Sequence, residues 1–208
     1  MYFKMNTIQI NSVDRNIRAT VFAFCRMNPI TLGHAKLIDH VKELADKHNG
    51  DHIVVLSTKQ DSKKNPLHID DKVSLARKYF PNTNIRAATK EFPTFLHYAK
   101  LISDNGIQHL LMVAGSDRID EYHFLLHKYN GLPGQHNFKK ISVVSAGQRN
   151  IGSNSIDGIS ASKLREAAIA DDYEKFKLGL PYGPETLHEE MYKKVRNGLK
   201  VTVNKNNK

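Results

Sequence analysis

Short, continuously apolar runs alternate with stretches of helical periodicity along most of this chain, and that alternation constrains its fold more than any other feature. Ala19 to Phe24 is a run rich in strand formers, broken by Asn28-Pro29. From Thr31 onward Leu32, Ala35, Leu37, Ile38, Val41, Leu44 and Ala45 recur at helical spacing, and Asn49-Gly50 stops them. Ile53 to Leu56 is a second buried strand, followed by a polar loop from Ser57 to Pro66. Val73, Leu75, Ala76 and Tyr79 predict a helix ending at Pro81, and Asn84 to Ala88 a weak third strand. Phe95, Leu96, Ala99 and Ile102 predict a helix stopped by Asn105-Gly106. His109 to Ala114 is a fourth strand, turning at Gly115-Ser116-Asp117 into a helix towards Tyr129; Ile141 to Ser145 is the fifth. Strands without polar alternation are covered on both faces, so the pattern predicts an α/β, Rossmann-like parallel sheet of about five strands flanked by helices. After a polar loop at Gln148 to Asp157, helices are expected from Ser160 to Asp171 and from Glu185 to Asn197, forming a helical C-terminal segment.

The chain has 208 residues, and at about 150 residues per domain this favours one domain with additions. Three parts are expected: an arm or extra strand over 1–18, the α/β domain over 19–171, and a helical extension with a basic tail over 172–208. An apolar fraction of 40% permits a sizeable core, and charged residues at 25% argue against bulk disorder. No stretch approaches the roughly eighteen apolar residues of a membrane span, and no membrane partner is expected. The first residues lack the apolar core of a signal peptide. A single cysteine, Cys25, excludes an internal disulfide framework, which points to a reducing, cytoplasmic setting. The 31 basic residues outnumber the 21 acidic ones, giving a net charge of +10 and favouring anionic partners: nucleotides, phosphorylated metabolites or nucleic acid. The densest basic tract, Lys193 to Lys208, reads most simply as a frayed, solubilising tail.

Ligands of such sheets bind beyond the carboxyl ends of the strands. Three strand-to-helix junctions are therefore candidates for one site: Cys25 to His34, Ala114 to Arg118, and Gly158 to Arg165. Thr31 and His34 lie three apart at a helix start and share a face. Gly33 lets a ligand approach the backbone, and the free N–H groups of the helix start suit a phosphate.

These residues carry a family resemblance. Thr31-Leu32-Gly33-His34, preceded by Asn28-Pro29 and a strand, resembles the [HT]-x-G-H signature of the nucleotidyltransferase superfamily. That superfamily includes nicotinamide-mononucleotide and pantetheine-phosphate adenylyltransferases and the glycerol-phosphate and choline-phosphate cytidylyltransferases. Ile159 to Arg165 resembles its I-S-[ST]-[ST]-x-[IL]-R segment, and Ala114 to Asp117 its G-x-D turn. The elements stand in family order over about residues 19–170. The run from Asp61 to Leu67 also looks like a segment of phage-encoded members, which would place the protein in a host cytoplasm. The chain departs from the pattern at Cys25, where many members carry glycine, and at Ala161, where they carry a hydroxyl residue.

The resemblance implies attack by a phosphate monoester on the α-phosphate of a nucleoside triphosphate, with pyrophosphate leaving. It implies catalytic roles for His34, Thr31 and Arg165, with Thr31 on a phosphate oxygen. Phe24, Cys25, Arg26, Asn28, Gly33, Gly115, Asp117, Ser160 and Ser162 would bind nucleotide. Mg²⁺ would accompany the triphosphate with few protein ligands. Lys63, Lys64 and Arg118 are candidates for phosphate or the acceptor. Lys36, two residues after His34, is expected to point away from it into solvent. Asp117 would orient ribose or acceptor, or else cap the following helix. His123 and His127 lie four apart without a third ligand, and no metal site is expected. ATP or CTP are both compatible, with the Arg26 to Pro29 string leaning towards ATP. Two other readings stay open: a scaffold that binds nucleotide without turnover, suggested by Cys25 and Ala161, and a nucleic-acid-binding protein, suggested by charge alone. Oligomeric state is open as well.

Overall fold

The computed structural model describes residues 19–147 and 159–200. The expected arm over 1–18, the polar loop over 148–157 with Gly158, and residues 201–208 lie outside the described residues. Five parallel strands form one sheet: β1 (Ala19–Cys25), β2 (Asp51–Leu56), β3 (Ile85–Ala87), β4 (His109–Ala114) and β5 (Lys140–Ser145), in the order β3-β2-β1-β4-β5. The chain winds outward from β1 to β3, then crosses to β4 on the other side of β1. The strand ends of β1 and β4 therefore flank a topological switch point, where a crevice opens.

The two faces of the sheet explain the unbroken apolar runs. Val21, Ala23 and Cys25 of β1, Val54 and Leu56 of β2, and Leu111 and Val113 of β4 belong to one core. Phe22, Ile53, Val55, Leu110 and Met112 point into the other. Successive side chains alternate between faces, so a strand covered twice needs an apolar residue at every position. The first core is roofed by α1 (Leu32–Lys47) and α2 (Ile69–Tyr79) and by the C-terminal helices α5 (Ala161–Ile169), α6 (Tyr173–Lys177) and α7 (Glu185–Gly198); the second by α3 (Phe95–Asp104) and α4 (Ile119–Tyr129).

Local chemistry sets the helix ends. Thr31, Ser160 and Asp172 are the N-caps of α1, α5 and α6, and the Ser160 and Asp172 side chains accept from the N–H of Lys163 and Lys175. His68 caps α2 two residues beyond the loop, whose first turn carries Asp70 and Asp71 against the helix dipole. The short α6 is absent from the periodicity, because one buried residue, Phe176, is too little to set a period.

Over its described part, Lys193 to Lys200, the basic tract at the C-terminus departs from the expected frayed tail, while 201–208 lie outside the described residues. Its first six residues, Lys193 to Gly198, complete α7, and Arg196 is 7% exposed. Arg196 Nη1 donates to the Ala168 carbonyl at 2.7 Å and pairs with Asp171, while Lys194 pairs with Asp71 at 2.5 Å. Leu187, Met191 and Val195, four apart, bury in the first core. Among the described residues, no helix is long and apolar enough to cross a membrane.

Candidate functional site

The site begins where β1 stops. After Cys25 the chain turns through Met27, whose φ of 44° is unusual for a residue with a side chain, and a cis Asn28–Pro29 bond, then enters α1. His34 is the third residue of α1, and its ring reaches back to the cap. The Thr31 N–H donates to His34 Nδ1 at 3.1 Å, and Thr31 Oγ1 lies 2.9 Å from the same nitrogen. A backbone N–H can only donate, so Nδ1 accepts and the neutral ring carries its proton on Nε2. Thr31 is buried, and its hydroxyl is committed to orienting His34. This differs from the phosphate contact that the family resemblance implies for it. The Leu32 N–H is taken by the Gly179 carbonyl at 3.0 Å, and the His34 and Ala35 N–H groups by Thr31 O. Gly33 sits between them, on the wall of the cavities described next.

Two cavities meet at this helix start, and Arg26, Gly33 and His34 line both. The smaller, of about 320 Å³, is closed by the first turn of α5 and by the loop after β2. Its wall carries three cations, Arg26, Lys64 and Arg165, and no carboxylate among the described residues. Arg165 donates from Nη1 to the Asn28 carbonyl at 2.8 Å and from Nη2 to Ser162 Oγ at 2.9 Å. Burial draws the guanidinium down from its ordinary value, with Asp61 opposing; it remains charged. Ser162 Oγ accepts from Arg165 and Ser160 Oγ accepts from the Lys163 N–H, so each hydroxyl keeps its proton for a further acceptor.

The Asp61–Asn65 loop is shaped by one carboxylate. Asp61 accepts from the backbone N–H groups of Lys63 at 2.9 Å and Lys64 at 2.6 Å, and from the Asn65 side chain. The Lys64 N–H, then the Asn65 amide and the Lys63 N–H, hold Asp61 well below the usual carboxylate range. Asn28 fastens the far end: Oδ1 accepts from the Leu67 N–H at 2.8 Å and Nδ2 donates to its carbonyl at 3.4 Å. The loop thus turns Lys64 to the smaller cavity, whereas Lys63 is exposed and lines neither.

The larger cavity, of about 640 Å³, lies over the switch point between β1 and β4, within the size range of small-molecule sites. Its wall is chemically divided. The β2 end brings Ser57, Thr58 and Lys59; the β4 end brings Asp117, Arg118 and Glu121; Phe24, Phe95 and Tyr122 supply apolar surface. The Phe95 and Tyr122 rings stand 4.3 Å apart between centroids. Burial pushes the Tyr122 phenol up to about 12, so it stays a donor near neutrality. Arg118 Nη1 lies 2.6 Å from Glu121 Oε2, which spends part of its charge.

The structure gathers most of the sequence candidates here and sorts them. Phe24, Cys25, Gly115, Asp117 and Arg118 line the larger cavity, and Asn28, Thr31, Lys64, Ser160, Ser162 and Arg165 the smaller. Asp117 sits in a short 3-10 turn, Ser116–Arg118, and α4 has no side-chain cap bond, so its alternative reading as a cap does not hold. Asn28 faces Leu67 with its side chain and serves the site through its carbonyl. Lys36 is exposed, as expected, and also lies on the wall of the larger cavity. Ser57, Lys59, Phe95 and Tyr122 were not singled out from the sequence. Ser57 and Lys59 follow β2 directly, and the strand-end rule alone would have found them. His127 Nδ1 lies 2.8 Å from the His123 carbonyl on an exposed face. Among the described residues, no group of three His, Cys, Asp or Glu stands ready for a metal ion.

No protein-family model matches the chain, and no curated protein does. Solved structures similar to it include Thermotoga maritima TmcAL bound with alpha-thio ATP, at 13% identity and a TM-score of 0.50. That likeness covers 88% of this chain, which spans 57% of the TmcAL chain, and at such identity it shows the shared α/β fold alone.

Proposed function

We propose that this chain is a nucleotidyltransferase that moves a nucleoside monophosphate from ATP or CTP, with adenylyl transfer favoured, to a small phosphorylated acceptor. The observation that carries the reading is the position of His34 on the wall shared by two cavities, one of which carries three cations and no carboxylate in its described lining. In-line displacement at phosphorus places the attacking and leaving oxygens on opposite sides of the reacting atom. With the α-phosphate at His34, the departing pyrophosphate belongs in the smaller cavity with Arg26, Lys64 and Arg165. The nucleoside and the acceptor belong in the larger one, the nucleoside towards Asp117.

An acceptor phosphate oxygen forms the new bond to the α-phosphorus as the bond to the bridging α–β oxygen breaks. The electron pair and charge leave with pyrophosphate, and no proton transfer to an enzyme group is needed. Catalysis is then positioning plus charge stabilisation. His34 donates from Nε2 to the α-phosphate. Arg165, Ser160 and Ser162 hold the β- and γ-phosphates, and Asp117 accepts from ribose hydroxyls. Mg²⁺ would accompany the triphosphate, held by its phosphates with few protein ligands. The shared α/β fold of a protein solved with alpha-thio ATP bound supports nucleotide binding by this chain.

Pyrophosphate release, measured with ATP or CTP across a panel of phosphorylated acceptors, tests the reading. It predicts acceptor-dependent release that disappears in folded His34→Ala; release that survives the substitution removes His34 from the reaction. The runner-up, a binding scaffold without turnover, is favoured by Cys25 on the wall of the larger cavity, where many members of the resembled superfamily carry glycine. It predicts triphosphate binding with no release for any acceptor.

A further inference from the structure

Ser57 is the first residue after β2, and its backbone is fully engaged. Its N–H donates to the Cys25 carbonyl at 2.9 Å, tying the ends of β1 and β2 together. Its own carbonyl accepts from the ammonium of Lys72, a lysine of α2 that is 0% exposed. The side chain is the opposite case. Ser57 is 9% exposed and forms part of the larger cavity's wall, yet its buried Oγ has no hydrogen-bond partner among the described residues. A buried hydroxyl left unpaired is a standing cost, and such a group in a native fold needs an explanation, of which a ligand that binds beside it is one. One side-chain torsion carries that hydroxyl between its staggered positions.

The surrounding charge states what the partner is. Ser57, Thr58 and Lys59 make a wall with one cation and no carboxylate, while both acids of the cavity, Asp117 and Glu121, stand at the β4 end. Lys72 adds a second positive charge behind Ser57; burial draws it down to about 8, so it is still largely cationic near neutrality. The pair selects an oxyanion over a neutral group.

We propose that Ser57 is a specificity-determining residue whose hydroxyl, with Lys59, takes a phosphate oxygen of the acceptor at the β2 end of the larger cavity. This rests on the nucleotidyltransferase reading and names where its acceptor is held. Ser57 and Lys59 line the larger cavity alone and Arg165 the smaller alone, with His34 on the wall of both.

The test titrates inorganic phosphate and glycerol phosphate into the full chain, wild type and the variants Ser57→Ala, Ser57→Thr and Arg165→Ala, with ATP and CTP titrated in parallel. The expected result is an affinity for the phosphate ester at least fivefold weaker in Ser57→Ala and within twofold of wild type in Ser57→Thr. Arg165→Ala keeps a Ser57-dependent ester site. Ser57→Ala melts no lower than wild type, because it removes an unpaired polar atom, whereas loss of a purely structural hydrogen bond would lower the melting temperature. Ester binding unchanged in Ser57→Ala, equally lost in Ser57→Thr, or replaced by binding of inorganic phosphate alone, overturns the proposal. Ser57-dependent ester binding by a chain that takes neither triphosphate leaves the subsite standing and removes nucleotidyl transfer.

Discussion

Arg165 donates a hydrogen bond to the Asn28 carbonyl across 137 positions of sequence, at 2.8 Å. That one contact joins the loop after β1 to α5, and with them the two motif segments that frame the smaller cavity. A charge-assisted hydrogen bond from the same guanidinium to a phosphate oxygen contributes about 1.5–3 kcal/mol. Arg165→Ala should therefore weaken triphosphate binding by roughly 10- to 100-fold. Arg165→Lys should fall between, because a point charge cannot reach Asn28 and Ser162 together. Calorimetric titration checks the order wild type, Lys, Ala; equal affinity in all three removes Arg165 from the phosphate site.

Gly33 separates folding from binding. A Cβ built there meets only Thr31 Oγ1, at an ordinary 3.6 Å, so the protein itself tolerates a methyl group. Both cavities touch this residue, and the methyl occupies space that a phosphate needs. Gly33→Ala is expected to melt within a few degrees of wild type and to lose most triphosphate affinity. A large drop in melting temperature with binding intact contradicts this account.

Gly198, far from His34 in sequence, acts on the site through packing. A Cβ there would collide with the Pro66 carbonyl, in the loop that presents Lys64 and is fastened by Asn28. Backbone cannot move aside as a flexible side chain does, so Gly198→Ala should both destabilise the fold and weaken triphosphate binding. Thermal melting and calorimetry on the same sample check the pair of effects.

His109 ties stability to acid. It is buried at the start of β4, 5.8 Å from His48 between ring centroids, and burial draws it from 6.5 down to about 4, with Lys140 and His48 adding to the shift. The folded state therefore binds the proton less well than the unfolded chain. Its contribution is fully present above pH 6.5 and is lost as pH falls from 6.5 towards 4. His109→Gln should flatten the unfolding free energy across that window relative to wild type. An unchanged slope in urea titrations between those pH values assigns the acid response to other groups.

The sheet was legible because a strand buried on both faces leaves an unmistakable run, as in His109 to Ala114. The junctions were legible because ligands collect at strand ends, and Thr31, His34 and Arg165 stand there. What remained hidden depends on distance through space. Nothing local distinguishes Lys64 from Lys63; the Asp61 carboxylate, by folding the loop, turns one to the cavity. Nor does spacing alone show that the Thr31 hydroxyl lies against His34 Nδ1. The basic run from Lys193 looks like a free tail because its partners, Asp71, Ala168 and Asp171, come from other helices or their ends.

The central claim is that a nucleoside triphosphate binds across His34. Titration of ATP and of CTP, each with Mg²⁺, into wild type and folded His34→Ala tests it most directly. The account predicts saturable binding of one triphosphate at a single site, weakened at least tenfold by the substitution. Binding of neither, or equal affinity in the two proteins, contradicts it.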